Sequence, residues 1–240
     1  MSQPLKTILD PSVLARTLER CEKAGSQGVV VFDLDSTLLN NRPRQARILR
    51  EFGKARGLAA LEKAQAHHWQ GWDMRRAMAN VGLESSEIEQ FADEAKAFWR
   101  ERFFTSEYCV EDEAILGAVD FVGAVAERGA QIAYVTGRHE AMRSGTLANF
   151  SRHRFVLPGE RTHLLMKPTF EISDDTWKEM AYEQLRALGR VLAAFDNEPT
   201  HINGYGQAFP DALAVHLDTD HSGRDVALLP GVVSVKNFSG

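Results

Sequence analysis

The chain reads as an α/β protein built on a parallel sheet, and three observations predict this. Short apolar runs alternate with helical stretches through most of its 240 residues. Three of those runs end in reactive or polar residues, at Asp33, Thr136 and Asp196. A strand-free block at 41–111 interrupts the alternation once. Strands that alternate with helices imply right-handed βαβ units, and hence parallel pairing.

Residues 10–25 predict a helix, with Asp10 as cap, Pro11 in the first turn and Gly25 as the stop. Residues 28–32 follow as a continuous apolar run, the pattern of a central strand buried on both faces. That strand delivers Asp33, then Asp35, Ser36 and Thr37. Asn40, Asn41 and Pro43 break the pattern. From 43 to 104, Ala, Leu, Glu, Lys, Gln and Arg predict helix throughout, with Gly57, Gly71 and Gly82 at ends or kinks. Glu84-Ser85-Ser86-Glu87 supplies a capped start after Gly82.

The second half resumes the alternation. A helix is expected over 112–128, stopping near Gly129, and a strand over 131–135 that runs into Thr136-Gly137-Arg138. A helix to about 150, a strand at 162–166 and a helix after Asp174 and Asp175 come next. The strand 190–195 then runs into Asp196-Asn197-Glu198-Pro199, and weaker strands follow at 213–217 and 232–235.

Composition bounds the function. With 44% hydrophobic and 25% charged residues, the chain has an ordinary globular make-up. A net charge of −5 and a pI near 5.9 argue against a basic footprint for nucleic acid or an anionic membrane. Cys21 and Cys109 make neither a disulfide framework nor a zinc spacing, and read as small buried or half-buried thiols. No apolar leader core and no run of about 18 apolar residues is seen, so the reduced cytoplasm is the expected location. Composition leaves oligomeric state open.

In a parallel sheet the carboxyl ends of the strands share one edge, where open α/β sheets place their active sites. Asp33, Thr136 and Asp196 therefore converge, although the outer two lie 163 positions apart. Carboxylates gathered there are costly unless a cation or a reaction uses them.

Asp33-Leu34-Asp35-Ser36-Thr37 resembles the first motif of the haloacid dehalogenase-like superfamily, Asp-x-Asp-x-Thr. Thr136 after a strand is similar to its second motif, a Lys opening a helix to its third and Asp196 to its fourth. The resemblance spans 28–200 in the right order, and 41–111 sits where that family inserts a helical cap. It implies a Rossmann-like three-layer core at 1–40 and 112–240 and a cap at 41–111.

The resemblance also implies roles. Asp33 would attack phosphorus to form an aspartyl-phosphate, and Asp35 would protonate the leaving oxygen and then activate water. Thr136, with Gly137 and Arg138, would bind the phosphoryl group. Mg²⁺ would be held by Asp33, Asp196 and the Asp35 main-chain carbonyl, with Asn197 a further candidate and Glu198 a ligand through water or a helix cap. Two lysines compete for the third motif. Lys178 is favoured, because polynucleotide-kinase-type phosphatase domains place their Lys similarly and carry an Arg where Arg138 stands; Lys167 is the alternative.

The second acid separates branches of the family. Related dehalogenases lack it and related transport ATPases have Thr, so Asp35 points to hydrolysis of a phosphomonoester. A phosphotransferase or mutase using the same intermediate is the first rival, and a non-catalytic binding module the second. The expected partner is a small phosphorylated substrate.

Two further clusters stand out. His67, His68, Trp69, Trp72, Arg75 and Arg76 lie in the helical block, either as cap core with a solvated face or as a substrate lid. Asp218-Thr219-Asp220-His221 follows a strand and reads as a turn that could line the same edge.

Overall fold

The computed structural model describes residues 9–239. The expectation about an apolar leader falls partly on residues 1–8, outside the described ones. Among the described residues no helix is long and apolar enough to cross a membrane.

Among the described residues the sheet has six strands: β1 (Gly28–Phe32), β4 (Gln131–His139), β5 (Thr162–Lys167), β6 (Arg190–Asp196), β7 (Leu213–Leu217) and β8 (Val233–Val235). Their order is β5-β4-β1-β6-β7-β8, and every pairing is parallel. The α/β expectation holds, including both weak C-terminal strands.

β1 lies at the centre and is buried along its whole length. Side chains alternate across a strand, so the run splits between two cores. Val30 and Phe32 enter the core on one face; Val29 and Val31 enter the other. Phe32 stacks on Phe195 at 5.1 Å and meets Phe121 edge-on at 6.2 Å. The first core is closed by α1 (Ser12–Ala24), α5 (Ala118–Glu127) and α6 (Arg143–His153), the second by α7 (Asp174–Leu188) and α8 (Pro199–Ala208).

Between β1 and α5 two short strands pair antiparallel, β2 (Leu39–Asn40) and β3 (Glu113–Ala114). They bracket a helical block of α2 (Arg42–Arg56), α3 (Met74–Val81) and α4 (Ser85–Phe103). The block has its own core, in which Leu49, Phe52, Leu61, Trp69 and Met78 are buried.

Three expectations need correction. The block is not helical throughout: 57–73 holds only two single 3₁₀ turns, at 61–63 and 66–68, joined by irregular chain. Gly57, at φ +67°, ends α2 in the left-handed region that glycine adopts without strain. The helix expected over 112–128 begins at Ala118, because 113–114 join the two-stranded ladder and Gly117 turns at φ +76° against the Phe238 main chain. The strand after Gln131 runs on to His139 instead of stopping at 135, with its register to β5 breaking between Thr136 and His139.

Candidate active site

Three chain segments reach one sheet edge: the end of β1 at Asp33, β4 at Gly137 and Arg138, and the end of β6 at Asp196. The N-terminal part of α7, capped by Ser173, brings Lys178 to the same place. Lys178 is fully buried and all three ammonium donors are used. Nζ lies 2.7 Å from Asp33 Oδ1, 2.8 Å from Asp196 Oδ2 and 2.7 Å from the Val135 carbonyl oxygen.

One buried cation thus faces two buried carboxylates, leaving a net negative charge. Burial is the main reason that the Asp33 carboxyl is pushed up to about 7, and the neighbouring Asp196 adds to it, against the pull of Lys178. Burial also acts on Asp196, but Lys178 and His201 outweigh it and hold that carboxyl below the usual range. Asp33 Oδ2 receives no hydrogen bond among the described residues.

Asp35 belongs to a second, balanced group. Arg138 Nη2 lies 2.5 Å from Asp35 Oδ1 and 2.6 Å from Asp112 Oδ2. Arg44 makes the matching pair of contacts, 3.0 Å to Asp35 Oδ1 and 2.9 Å to Asp112 Oδ1. Asn41 Nδ2 adds a bond of 2.8 Å to Asp35 Oδ1. Burial raises the proton affinity of Asp35, but the guanidiniums of Arg138 and Arg44 outweigh it and hold the carboxyl well below the usual range. Asp112, fully buried, is shifted upward by its burial.

The remaining expected residues fall as follows. Lys167 pairs with Asp174 at 2.7 Å and does not line the cavity. Thr136 is wholly buried, its hydroxyl oxygen accepting from the Arg138 N–H at 3.1 Å. Arg138, expected beside a substrate, lines the cavity but commits its guanidinium to Asp35, Asp112 and Thr146. Asn197 is also engaged: Oδ1 accepts from Thr37 Oγ1 at 3.0 Å and Nδ2 donates to the Asp220 carbonyl at 2.6 Å. Glu198 accepts from the Ser222 N–H and hydroxyl, both at 2.9 Å, and its side chain does not cap α8.

Of the six residues singled out in the helical block, only Trp72 lines this cavity. Trp69 is buried in the block's core, His68 accepts from the Gln65 N–H, Arg75 pairs with Glu89, and His67 and Arg76 are exposed. Asp220 is more than a turn residue. It takes both Arg42 Nε at 2.6 Å and the Gly71 N–H at 2.8 Å, tying the loop after β7 to the helical block.

Sequence reasoning missed Arg44, Asp112 and His201. A signal existed for the first: the opening turn of α2 carries Arg42 and Arg44 and no acid, against the preference of a helix N-terminus for negative charge. His201 lies 3.6 Å from Asp196 Oδ1 and 2.8 Å from Asp175 Oδ1. Burial lowers its proton affinity, but Asp196 prevails and raises it.

The carboxylates line a cavity of about 350 Å³. Trp72, Trp99, Phe103 and Phe104 of the helical block and the chain just after it form an aromatic wall of the same cavity. That volume is at the small end of the range for small-molecule sites. Among the described residues no three His, Cys, Asp or Glu side chains form a metal cluster. The donor set fits Mg²⁺: hard oxygens only, one free carboxylate oxygen, and unbalanced negative charge.

Residues 28–159, more than half of the chain, match the family model of the haloacid dehalogenase-like hydrolases. The chain belongs to that family, and so to its hydrolases. Solved structures agree on the fold. A Clostridium difficile protein described as a phosphatase is 11% identical, with a TM-score of 0.55 over 89% of this chain and 95% of that one. A haloacid dehalogenase-like family protein from Streptococcus pneumoniae is 11% identical, with a TM-score of 0.52 over 87% and 94%. Protein Tyrosine Kinase A of Mycobacterium tuberculosis is 18% identical, with a TM-score of 0.52 over 88% and 94%. No curated protein matches the sequence.

Proposed function

We propose that the chain is a Mg²⁺-dependent phosphatase that hydrolyses a phosphomonoester through an aspartyl-phosphate on Asp33, with residues 41–111 as its cap. The observation that carries this is the buried Asp33–Lys178–Asp196 bridge, one positive charge short of neutrality. Asp33, Asp196 and the Asp35 carbonyl would hold the ion, whose charge would let an anionic carboxylate approach an anionic phosphoryl group.

Asp33 Oδ2 is the nucleophile: a P–O bond forms to it as the bond to the leaving oxygen breaks. Lys178 keeps Oδ1 pointed away and offsets charge at both acids. Among the described residues Asp35 Oδ2 receives only Arg138 Nε, at 3.1 Å, so this oxygen remains to exchange protons with the leaving oxygen and then with water. Hydrolysis of the acyl-phosphate regenerates Asp33 and releases inorganic phosphate.

Because two guanidiniums keep Asp35 ionised, the proton it hands on must first arrive with the substrate. The substrate monoanion carries that proton below about pH 6, the second phosphate ionisation. Hydrolysis of benzyl phosphate is therefore expected to need Mg²⁺, to stop with a chelator, and to show kcat/KM falling as pH rises through about 6. Equal rates with chelator and with Mg²⁺ would overturn the metal assignment. A rate that rises across that pH range would overturn the proton path.

A further inference from the structure

The cavity has two unlike kinds of lining. Its basic side chains are each already paired: Lys178 with Asp33 and Asp196, Arg138 with Asp35 and Asp112, His201 with Asp175. Its lining acids Asp174 and Glu198 are held by Lys167 and by Ser222. No unpaired cation among the described lining residues is left to hold a second phosphate or a carboxylate on the leaving group.

The aromatic wall is ordered by its own contacts. Trp99 stacks on Phe103 with ring centroids 4.6 Å apart and planes 23° apart. Trp72 meets Phe103 edge-on at 5.3 Å, and Phe104 meets Trp99 edge-on at 5.5 Å. Trp72 and Trp99 are only half-buried and both line the cavity, although Phe103 covers one face of Trp99. The Trp99 indole N–H has no partner among the described residues.

We propose that this wall selects phosphomonoesters whose leaving group carries an uncharged planar aromatic ring, stacked on one of Trp72 and Trp99 and met edge-on by the other, since the two indoles stand 79° apart. The assignment rests on the phosphatase reading above and adds the substrate class to it. Flat π faces prefer flat partners, and the absence of a free cation disfavours bisphosphates and phosphorylated acids. An aryl alcohol or a nucleoside supplies such a ring.

Two matched pairs separate these sources: benzyl phosphate against cyclohexylmethyl phosphate, and adenosine 5′-monophosphate against ribose 5-phosphate. The ring-bearing member of at least one pair is expected to show a kcat/KM higher by roughly tenfold or more, the size of one lost stacking contact. The pair that shows it names the source. Trp72→Ala and Trp99→Ala are expected to bring the ratio towards one. Trp72→Leu and Trp99→Leu should do the same while keeping apolar volume.

Ratios near one in both pairs overturn the inference, as does a preference that survives in all four variants. Quenching of tryptophan fluorescence by adenosine or benzyl alcohol reads the ring site without turnover. Quenching with no hydrolysis of any ester leaves the ring site standing and sinks the phosphatase reading. Hydrolysis without ring preference does the reverse.

Discussion

Asp33→Asn is expected to abolish hydrolysis of every phosphomonoester the wild type accepts, with kcat reduced by more than about 10⁴-fold, the scale seen when a covalent nucleophile is removed. The substitution is conservative in every other respect. An asparagine carbonyl at 33 still accepts from Lys178 Nζ, which also keeps Asp196 at 2.8 Å. The fold should therefore survive, and stability supplies a second readout.

In the metal-free wild type, burial pushes the Asp33 carboxyl from its usual 3.8 up to about 7. The folded state therefore binds a proton that the unfolded chain releases earlier. This contribution to stability is fully present below about pH 4 and is lost as pH rises towards 7. The difference between wild type and Asp33→Asn, followed by urea midpoint in the presence of a chelator, should decline over that window. A variant that retains a tenth of wild-type kcat removes Asp33 as nucleophile. A flat stability difference from pH 4 to 7 removes the buried, like-charged environment assigned to it.

Asp112→Asn tests the second charged group. Asp112 does not line the active-site cavity, yet its two oxygens receive Arg44 Nε at 2.9 Å and Arg138 Nη2 at 2.6 Å in full burial. Neutralising it leaves two buried guanidiniums sharing the single carboxylate of Asp35. Breaking a buried pair from one side costs about 3–5 kcal/mol. For a chain of this length that is a drop in Tm of roughly 6–20 °C. Glu89→Gln, which removes the exposed partner of Arg75, should leave Tm almost unchanged, since surface pairs contribute little. Thermal unfolding of the three proteins decides it. A fall of less than about 2 °C for Asp112→Asn would show that the four-residue group is not a unit.

The two groups explain how neighbouring acids take different parts. Asp33 and Asp35 are two positions apart and both lie past the end of β1, where the chain leaves the strand and turns at Ser36, so strand alternation does not set their directions. Asp33 meets a lysine already shared with Asp196, and its excess negative charge favours a metal or a proton. Asp35 meets two guanidiniums that are themselves balanced by Asp112, so it stays ionised with one oxygen towards the cavity.

Much of the fold was legible in the chain because its signals are local. The apolar run 28–32, the β/α alternation and the glycines that end α1, α2, α3 and α7 depend on a few neighbouring residues, and all six described strands of the sheet follow from them. The convergence of Asp33 with Asp196 was legible too, since parallel pairing carries strand ends to one edge. Local composition failed at 57–73. Residues with good helix propensity there are folded back on α2, where a Cβ at Gly53 would meet Leu61 at 2.7 Å, so close packing overrides propensity.

The partners of the charged side chains were not legible. Both Lys167 and Lys178 follow plausible signals, and only the fold shows Asp174 beside the first and the two site acids beside the second. Arg44 and Asp112 are 68 positions apart, and Asn197 and Asp220 meet through an amide and a carbonyl that no pattern marks. By itself the sequence determined the sheet, its reactive edge and the acids standing on it, because periodicity and strand direction are short-range properties. The tertiary structure alone decided which charge faces which, because Coulomb and hydrogen-bond partners are chosen by distance in space and by burial, to which sequence separation gives no guide.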